Sequence, residues 1–228
     1  MKKFALSLLA LGAFWSSGSA FAAPVSCVNG QTTIAALEAL GTYNPITDTG
    51  GCLQQDKIWS GFSFTGSAFP IDSNPALSYN VFATFDLHNF NINFPTGFIN
   101  TGNAAITSTF AYKLEIDPQS SQYLTNKIYL ATLGFDLNFG SVGITDTIVT
   151  PSNSYSLTAN GQNQFLGGST KSLIATNVLT INPDSRLNSV TNAYQQTTLP
   201  LPEPGSLSLM GIGLAATAAF SKRRKAKS

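Results

Sequence analysis

From Lys57 onward the chain alternates apolar and polar residues with a period of two, a spacing that suits half-buried strands and no helix. Phe62 and Phe64 alternate with Ser63 and Thr65. Tyr79, Val81, Ala83, Phe85 and Leu87 share one face, against Asn80, Phe82, Thr84, Asp86 and His88. The phase then moves to even numbers, with Phe90, Ile92 and Phe94 separated by Asn89, Asn91 and Asn93. A slip of one residue turns every side chain to the opposite face, so a bulge or strand break is expected near His88. The clearest strand is Ile106–Ile116, with Ile106, Phe110, Tyr112, Leu114 and Ile116 inward and Thr107, Thr109, Lys113 and Glu115 toward water. Leu133, Phe135, Leu137 and Phe139 repeat the alternation, and further strands are expected near 123–131, 142–150, 154–158, 171–182 and 187–197.

Turn chemistry punctuates these runs at 72–75, 95–97, 100–103, 117–118, 160–161, 167–168 and 182–184, each rich in Pro, Gly, Asn or Asp. Many short strands with no long helix between them exclude a parallel α/β sheet and predict an antiparallel, jelly-roll-like β-sandwich. Gly, Asn and Ser enrichment over 152–170 predicts a long loop or an ordered hairpin there, and residues 195–202 read as an extended tether.

Both ends read differently from the middle. Lys2 and Lys3 precede an apolar stretch over 4–15, and Ala20-Phe21-Ala22 forms an A-x-A cleavage site, so residues 1–22 read as a secretory signal peptide cut by signal peptidase. Toward the other end, Pro202-Glu203-Pro204 is followed by the apolar run 205–220 and then by Lys222, Arg223, Arg224, Lys225 and Lys227. As a helix, that run would span roughly 24 Å, short of a bilayer core of about 30 Å. The basic tail would remain cytoplasmic and leave the preceding chain outside.

This order of short polar signal, hydrophobic segment and basic tail resembles a PEP-CTERM sorting domain, over 199–228. The resemblance implies recognition of Pro202, Glu203 and Pro204 by an exosortase, transient anchoring in the inner membrane, and removal of the tail. The N-terminal part adds to it: Cys27, Leu37, Leu40, Gly41, Gly51, Cys52, Asp56, Lys57, Phe62, Ser63 and Phe64 follow a pattern met in exported PEP-CTERM proteins, as does Tyr194-Gln195-Gln196-Thr197 before the signal. The resemblance implies a place at the cell surface or in the extracellular matrix.

The exported part, 23–198, is one domain by length. Between Ala23 and Glu203, five basic residues face eleven acidic ones, a formal charge of −6 hidden by the whole-chain value of +1. Such a sparsely charged, acidic surface argues against nucleic-acid binding. An exported chain meets an oxidising compartment, so Cys27 and Cys52 are expected to bridge. Within the bridged loop, Ile34, Leu37 and Leu40 recur at helical spacing between Thr32 or Thr33 and Gly41, predicting a two-turn helix in a stapled lid over 27–53.

Candidate chemistry is sparse. His88 is the sole histidine; Ser60, Ser63, Asp56 and Asp86 are conceivable partners in a triad, yet no nucleophile-elbow motif accompanies it, and a turn or surface position is expected. Glu115, on an expected solvent face beside Lys113, reads as part of a cross-strand or diagonal ion pair rather than half of a glycosidase pair. Asp136, Asn138 and Asp146, or Asp72 with Asn74, offer oxygens for calcium but match no loop motif, so no metal or cofactor is expected. Trp59, opposite the Phe62/Phe64 face, is the candidate ligand contact. The reading that results is a non-catalytic exported surface or matrix protein. A carbohydrate-binding module for exopolysaccharide is the alternative, and a secreted hydrolase the second.

Overall fold

The computed structural model describes residues 24–197 apart from 29, 67, 68, 71, 83 and 84. The expected signal peptide and sorting segment therefore lie outside the described residues. Among those described, thirteen strands and one short helix follow in the order β1 (Val25–Ser26), β2 (Gly30–Gln31), α1 (Ile34–Glu38), β3 (Cys52–Gln54), β4 (Lys57–Thr65), β5 (Asn74–Val81) and β6 (Asp86–Asn100). They continue with β7 (Ile106–Ile116), β8 (Lys127–Phe139), β9 (Val142–Val149), β10 (Ser154–Leu157), β11 (Gln162–Thr170), β12 (Ser172–Ile181) and β13 (Ser185–Thr197).

They form two sheets. The first runs β1-β3-β4-β7-β12-β9-β10 and the second β11-β8-β13-β6-β5-β2. All pairings are antiparallel except β1 on β3. The fold is the expected β-sandwich, with alternate residues of each sheet meeting in one core. Phe90 of β6 packs on Phe110 and Tyr112 of β7 at 5.7 and 4.8 Å between ring centroids, and Ile92, Phe94 and Leu114 belong to the same buried core.

Several local expectations change. The phase slip is a hairpin: β5 ends at Val81, Phe82 N donates to Phe85 O at 2.9 Å, and β6 restarts at Asp86. Asp86, His88, Phe90 and Ile92 then lie in one unbroken phase, so His88 sits inside a strand and not at a break. The segment 95–97 does not separate strands. Gly97 takes φ +81° inside β6, where the register against β13 shifts between Leu187 and Ser189, so the turn residues are absorbed as a bulge. The expected run at 123–131 starts only at Lys127 and continues unbroken through 133–139 as β8. Residues 152–170 form neither one loop nor a hairpin but β10 and β11, one in each sheet. Of the expected tether, Gln195, Gln196 and Thr197 are paired in β13.

The N-terminal segment keeps the expected bridge and cap, but its helix is five residues rather than two turns and ends before Leu40. Cys27 and Cys52 are bridged, with a sequence separation of 25. Thr33 caps α1, its hydroxyl accepting from Ala36 N at 3.1 Å, and Gly41 follows with φ +66°. Leu37 joins the core, while Glu38 accepts from Phe64 N at 3.1 Å. Gly61 N donates to Gly41 O and Gly51 N to Leu40 O, which lays the loop over β4. Ile58 and Ser60, on the reverse face of β4 from Trp59, are buried by it.

Candidate functional site

Two buried polar groupings interrupt the core, one around β4, β6 and β13 and the other on β7, β9, β12 and β13. The first lies at one end of the sandwich. The β3–β4 turn places Gln55 at φ +56° and delivers Asp56 and Lys57, 6 % and 0 % exposed, to the interior. Lys57 Nζ donates to Asp56 Oδ1 at 2.7 Å. Asp56 Oδ2 accepts from Asn126 Nδ2 at 2.6 Å and Gln196 Nε2 at 3.1 Å, and Asn126 also donates to Gln122 Oε1. Thus β4, the loop before β8, and the last turn of pairing in β13 meet on one carboxylate.

The electrostatics follow from enclosure. Burial alone would raise the Asp56 carboxyl; the Lys57 charge and hydrogen bond, with the Asn126 amide, hold it below the usual range. Burial pulls the Lys57 ammonium down to about 8 against the attraction of Asp56. His88 lies beside this pair, wholly enclosed and stacked on Tyr79 at 6.4 Å between ring centroids. Burial, then the Lys57 charge, lower the imidazole to about 3, so it is neutral. Asp86, at the rim, is raised by burial and by Asp56.

A cleft of about 400 Å³ opens onto this end, lined by Gln55, Asp56, Val81, Asp86, Ser120 and Gln122. Behind it neither His88 nitrogen has a hydrogen-bond partner, and Gln196 Oε1 and Gln54 Nε2 also lack one. No hydrogen bond joins His88 to Ser60, Ser63, Asp56 or Asp86, and Ser60 lies on the opposite face of β4 from Lys57. A nucleophile–base pair is not assembled. What the arrangement does is hold an ion pair at the sandwich end and present carboxylate and amide oxygens to a polar cleft.

The second grouping bridges the sheets. Tyr112 of β7 and Tyr194 of β13 share a hydrogen bond of 2.7 Å between hydroxyls, and Asn192 Nδ2 donates to Tyr112 at 2.9 Å. Asp146 of β9, 0 % exposed, accepts from Asn177 Nδ2 at 3.2 Å, and burial pushes its carboxyl up to about 7. The expected oxygen set of Asp136, Asn138 and Asp146 is not brought together: Asp136 and Asn138 are exposed on β8 of the second sheet, and Asp146 is enclosed in the first. Glu115 pairs with Lys113 at 2.5 Å along the same strand, two residues apart, and not across strands as expected, with the Glu115 side chain largely covered.

Trp59 requires correction. It is 0 % exposed, wedged among Tyr112, Phe90 and Tyr194 at 5.5–6.3 Å, with its Nε1 donating to Gln54 Oε1 at 3.3 Å. Its alternation on β4 counts from Lys57, and the bulge at Gly61 (φ +61°) returns Phe62 to the same inward side. No ligand can stack on it. His88 is corrected likewise, from a turn residue to a core one. The Asp56–Lys57 dipeptide and Tyr194-Gln195-Gln196-Thr197 were visible as a pattern, but their meeting through Gln196 and Asp56 was not, because it spans the chain.

Pro202, Glu203, Pro204, the basic tail, Ala20 and Ala22 lie outside the described residues. The sequence there is nonetheless matched: residues 200–225 fit the family model described as the PEP-CTERM protein-sorting motif. The chain carries a PEP-CTERM motif. The motif implies an exported protein that an exosortase sorts and processes at its C-terminal segment. It begins three positions after β13 ends at Thr197, so the sandwich is complete before the PEP-CTERM segment starts. No curated protein matches this chain.

Proposed function

We propose that this is a non-catalytic surface or extracellular-matrix protein, a β-sandwich cut by signal peptidase after Ala22 and by an exosortase near Pro202-Glu203-Pro204. The match of residues 200–225 to the sorting motif carries the reading, since it supplies an address and a processing step. The interior supports the non-catalytic part: the single histidine is enclosed, neutral and unpartnered, and the buried ion pair is spent on Asn126 and Gln196.

The test is the intact mass of the protein from its host, by cell fraction. A species starting at Ala23 and ending near 202–204, outside the inner membrane, is the expected result. A full-length C-terminal segment retained in the inner membrane would replace the sorted form with a plain tail anchor. Glu203→Ala is expected to accumulate precursor in that membrane.

A further inference from the structure

Lysine is almost never fully enclosed unless paired, and Lys57 is 0 % exposed. Its ammonium carries three donors, yet among the described residues a single acceptor meets it, Asp56 Oδ1 at 2.7 Å. A buried ion pair recovers its desolvation cost only when the remaining donors are also satisfied. Packing alone therefore gives no reason for a lysine at this position.

The other oxygen of the same carboxyl group holds an amide. Asp56 Oδ2 accepts from Asn126 Nδ2 at 2.6 Å, so an amine and a carboxamide stand on the two oxygens of one side chain. Asn126 is wholly buried and fixed from several sides. Its Nδ2 also donates to Gln122 Oε1 at 3.0 Å, its main-chain N–H donates to Gln122 O at 2.9 Å, and its main-chain oxygen accepts from Lys171 Nζ at 2.6 Å. Two acceptors on the side-chain nitrogen settle which way the amide points. Gln196 Nε2 shares Asp56 Oδ2 at 3.1 Å, but its Oε1 has no partner among the described residues, so Asn126 is the better fixed amide. Asp56 and Gln122, the two acceptors of Asn126 Nδ2, both line the cleft at this end, which gives a small group released there a polar path to solvent.

No nucleophile is assembled at His88, but Lys57 is one with its proton acceptor already in place. Burial favours its reactive form, bringing the ammonium down to about 8 against the attraction of Asp56 and Asp86, with Lys171 adding to the lowering. Holding amine and amide on one carboxyl group makes their reaction intramolecular.

We propose that Lys57 and Asn126 condense to an intramolecular isopeptide bond, with Asp56 as proton carrier and ammonia as leaving group. Lys57 Nζ passes one proton to Asp56 Oδ1, which leaves a neutral amine beside a carboxylic acid. The Nζ lone pair attacks Asn126 Cγ to form the new C–N bond, and the carbonyl electron pair moves onto the Asn126 Oδ1. Asp56 then protonates Nδ2; the carbonyl re-forms, the Cγ–Nδ2 bond breaks, and its electrons leave on ammonia. The Asp56 carboxylate takes a second proton from Nζ. The products are a neutral amide, a neutral carboxylic acid and ammonia, so the reaction also removes two buried charges. The contacts described are those of the chain before the bond forms. Lys57 lies on β4 of the first sheet and Asn126 immediately precedes β8 of the second, so the bond ties the sheets together at this end. The step occurs once, within the chain, and involves no substrate.

Peptide mapping of the protein purified from its host tests this and does not depend on where either end is cut. The folded protein is held at a pH of about 8, the Lys57 value, then denatured, reduced and digested with trypsin and chymotrypsin. The expected product is a branched peptide carrying both Lys57 and Asn126, one ammonia lighter than its two arms, with tryptic cleavage after Lys57 lost in most chains. Lys57→Arg and Asp56→Asn should each abolish the branch, with unchanged near-ultraviolet circular dichroism showing that the variant is folded. The wild-type map decides the matter even where a variant fails to fold. Full cleavage after Lys57 with Asn126 intact overturns the proposal. A branch to Gln196, a branch formed by loss of water, or a succinimide at Asn126 with Lys57 free does the same. Branching that persists in folded Asp56→Asn overturns the proton transfer through Asp56.

Discussion

An ionised carboxylate at Asp146 would have one amide donor, Asn177 Nδ2, and one oxygen with no partner at all. Its burial raises the carboxyl from 3.8 to about 7, so the folded chain keeps a proton that the unfolded chain releases above pH ~4. The folded state binds more protons across that window, and stability falls as pH rises from about 4 to 7, by on the order of 4 kcal/mol. His88 works in the opposite direction. Its folded value of about 3 lies below the ordinary 6.5, so the unfolded chain binds the extra proton and stability falls as pH drops from about 6.5 to 3. The groups facing His88 are Lys57 and Asp56; the lowered Asp56 carboxyl adds a further loss only below its ordinary 3.8. Between pH 4 and 6.5 the two slopes oppose each other, and each substitution should unmask the other. Asp146→Asn is expected to give stability that rises with pH across this window, and His88→Phe stability that falls. Urea midpoints at pH 4, 5 and 6.5 read both; parallel profiles for wild type and the two variants would remove the assigned titrations. Neither residue announced this in the sequence. Asp146 reads like any strand-edge Asp and His88 like a turn residue, because enclosure is decided by the sheet that lands on top.

At the level of elements, the sequence was most legible where a short-range signal has one meaning. Thr33, the Ile34–Leu37–Leu40 spacing and Gly41 specify a cap, a helix face and a stop within nine residues, and α1 is found there. It was least legible at 95–97, where Pro and Gly serve a turn and a bulge equally well. Pairing of β6 with β13 on both sides of Gly97 decides for the bulge. The disulfide loop lets this scale be tested. A five-residue helix has no stability of its own, so α1 depends on docking and on the bridge between Cys27 and Cys52. Closing a loop of that length is worth about 3.5 kcal/mol on the chain-entropy model. The double variant Cys27→Ala/Cys52→Ala should lose a stability of that order. Amide exchange should rise first over 30–53, where α1 and the segment over Ile58 and Ser60 come away, while β7, β12 and β13 stay protected. Uniform exchange across all strands would show instead that the loop is integral to the sandwich.

For the whole molecule, alternation and turns imply two sheets but not which strand neighbours which. The order in each sheet shows why: in the second, β13, the last strand in sequence, lies between β6 and β8, and in the first β12 lies between β7 and β9. No local signal encodes a pairing across a hundred residues. The consequence is that the second sheet stays split until residues 185–197 arrive. Those residues also bring Tyr194 to Tyr112 and Gln196 to Asp56, the contacts that tie β13 to the first sheet and to the end cluster. A chain ending at Thr197 is therefore expected to melt at the temperature of the full domain, with unchanged near-ultraviolet circular dichroism from Trp59 and its tyrosines. A chain ending at Pro183 should lose that signal and aggregate, since β6 and β8 would each expose an unpaired edge. Cooperative melting of the shorter chain would mean that β13 docks onto a sandwich already formed. If the expected pair of results holds, any cut after Thr197 leaves the fold whole, while one before Ser185 would take a central strand with it. Removal of the sorting segment is compatible with this fold because the motif begins beyond the last paired residue.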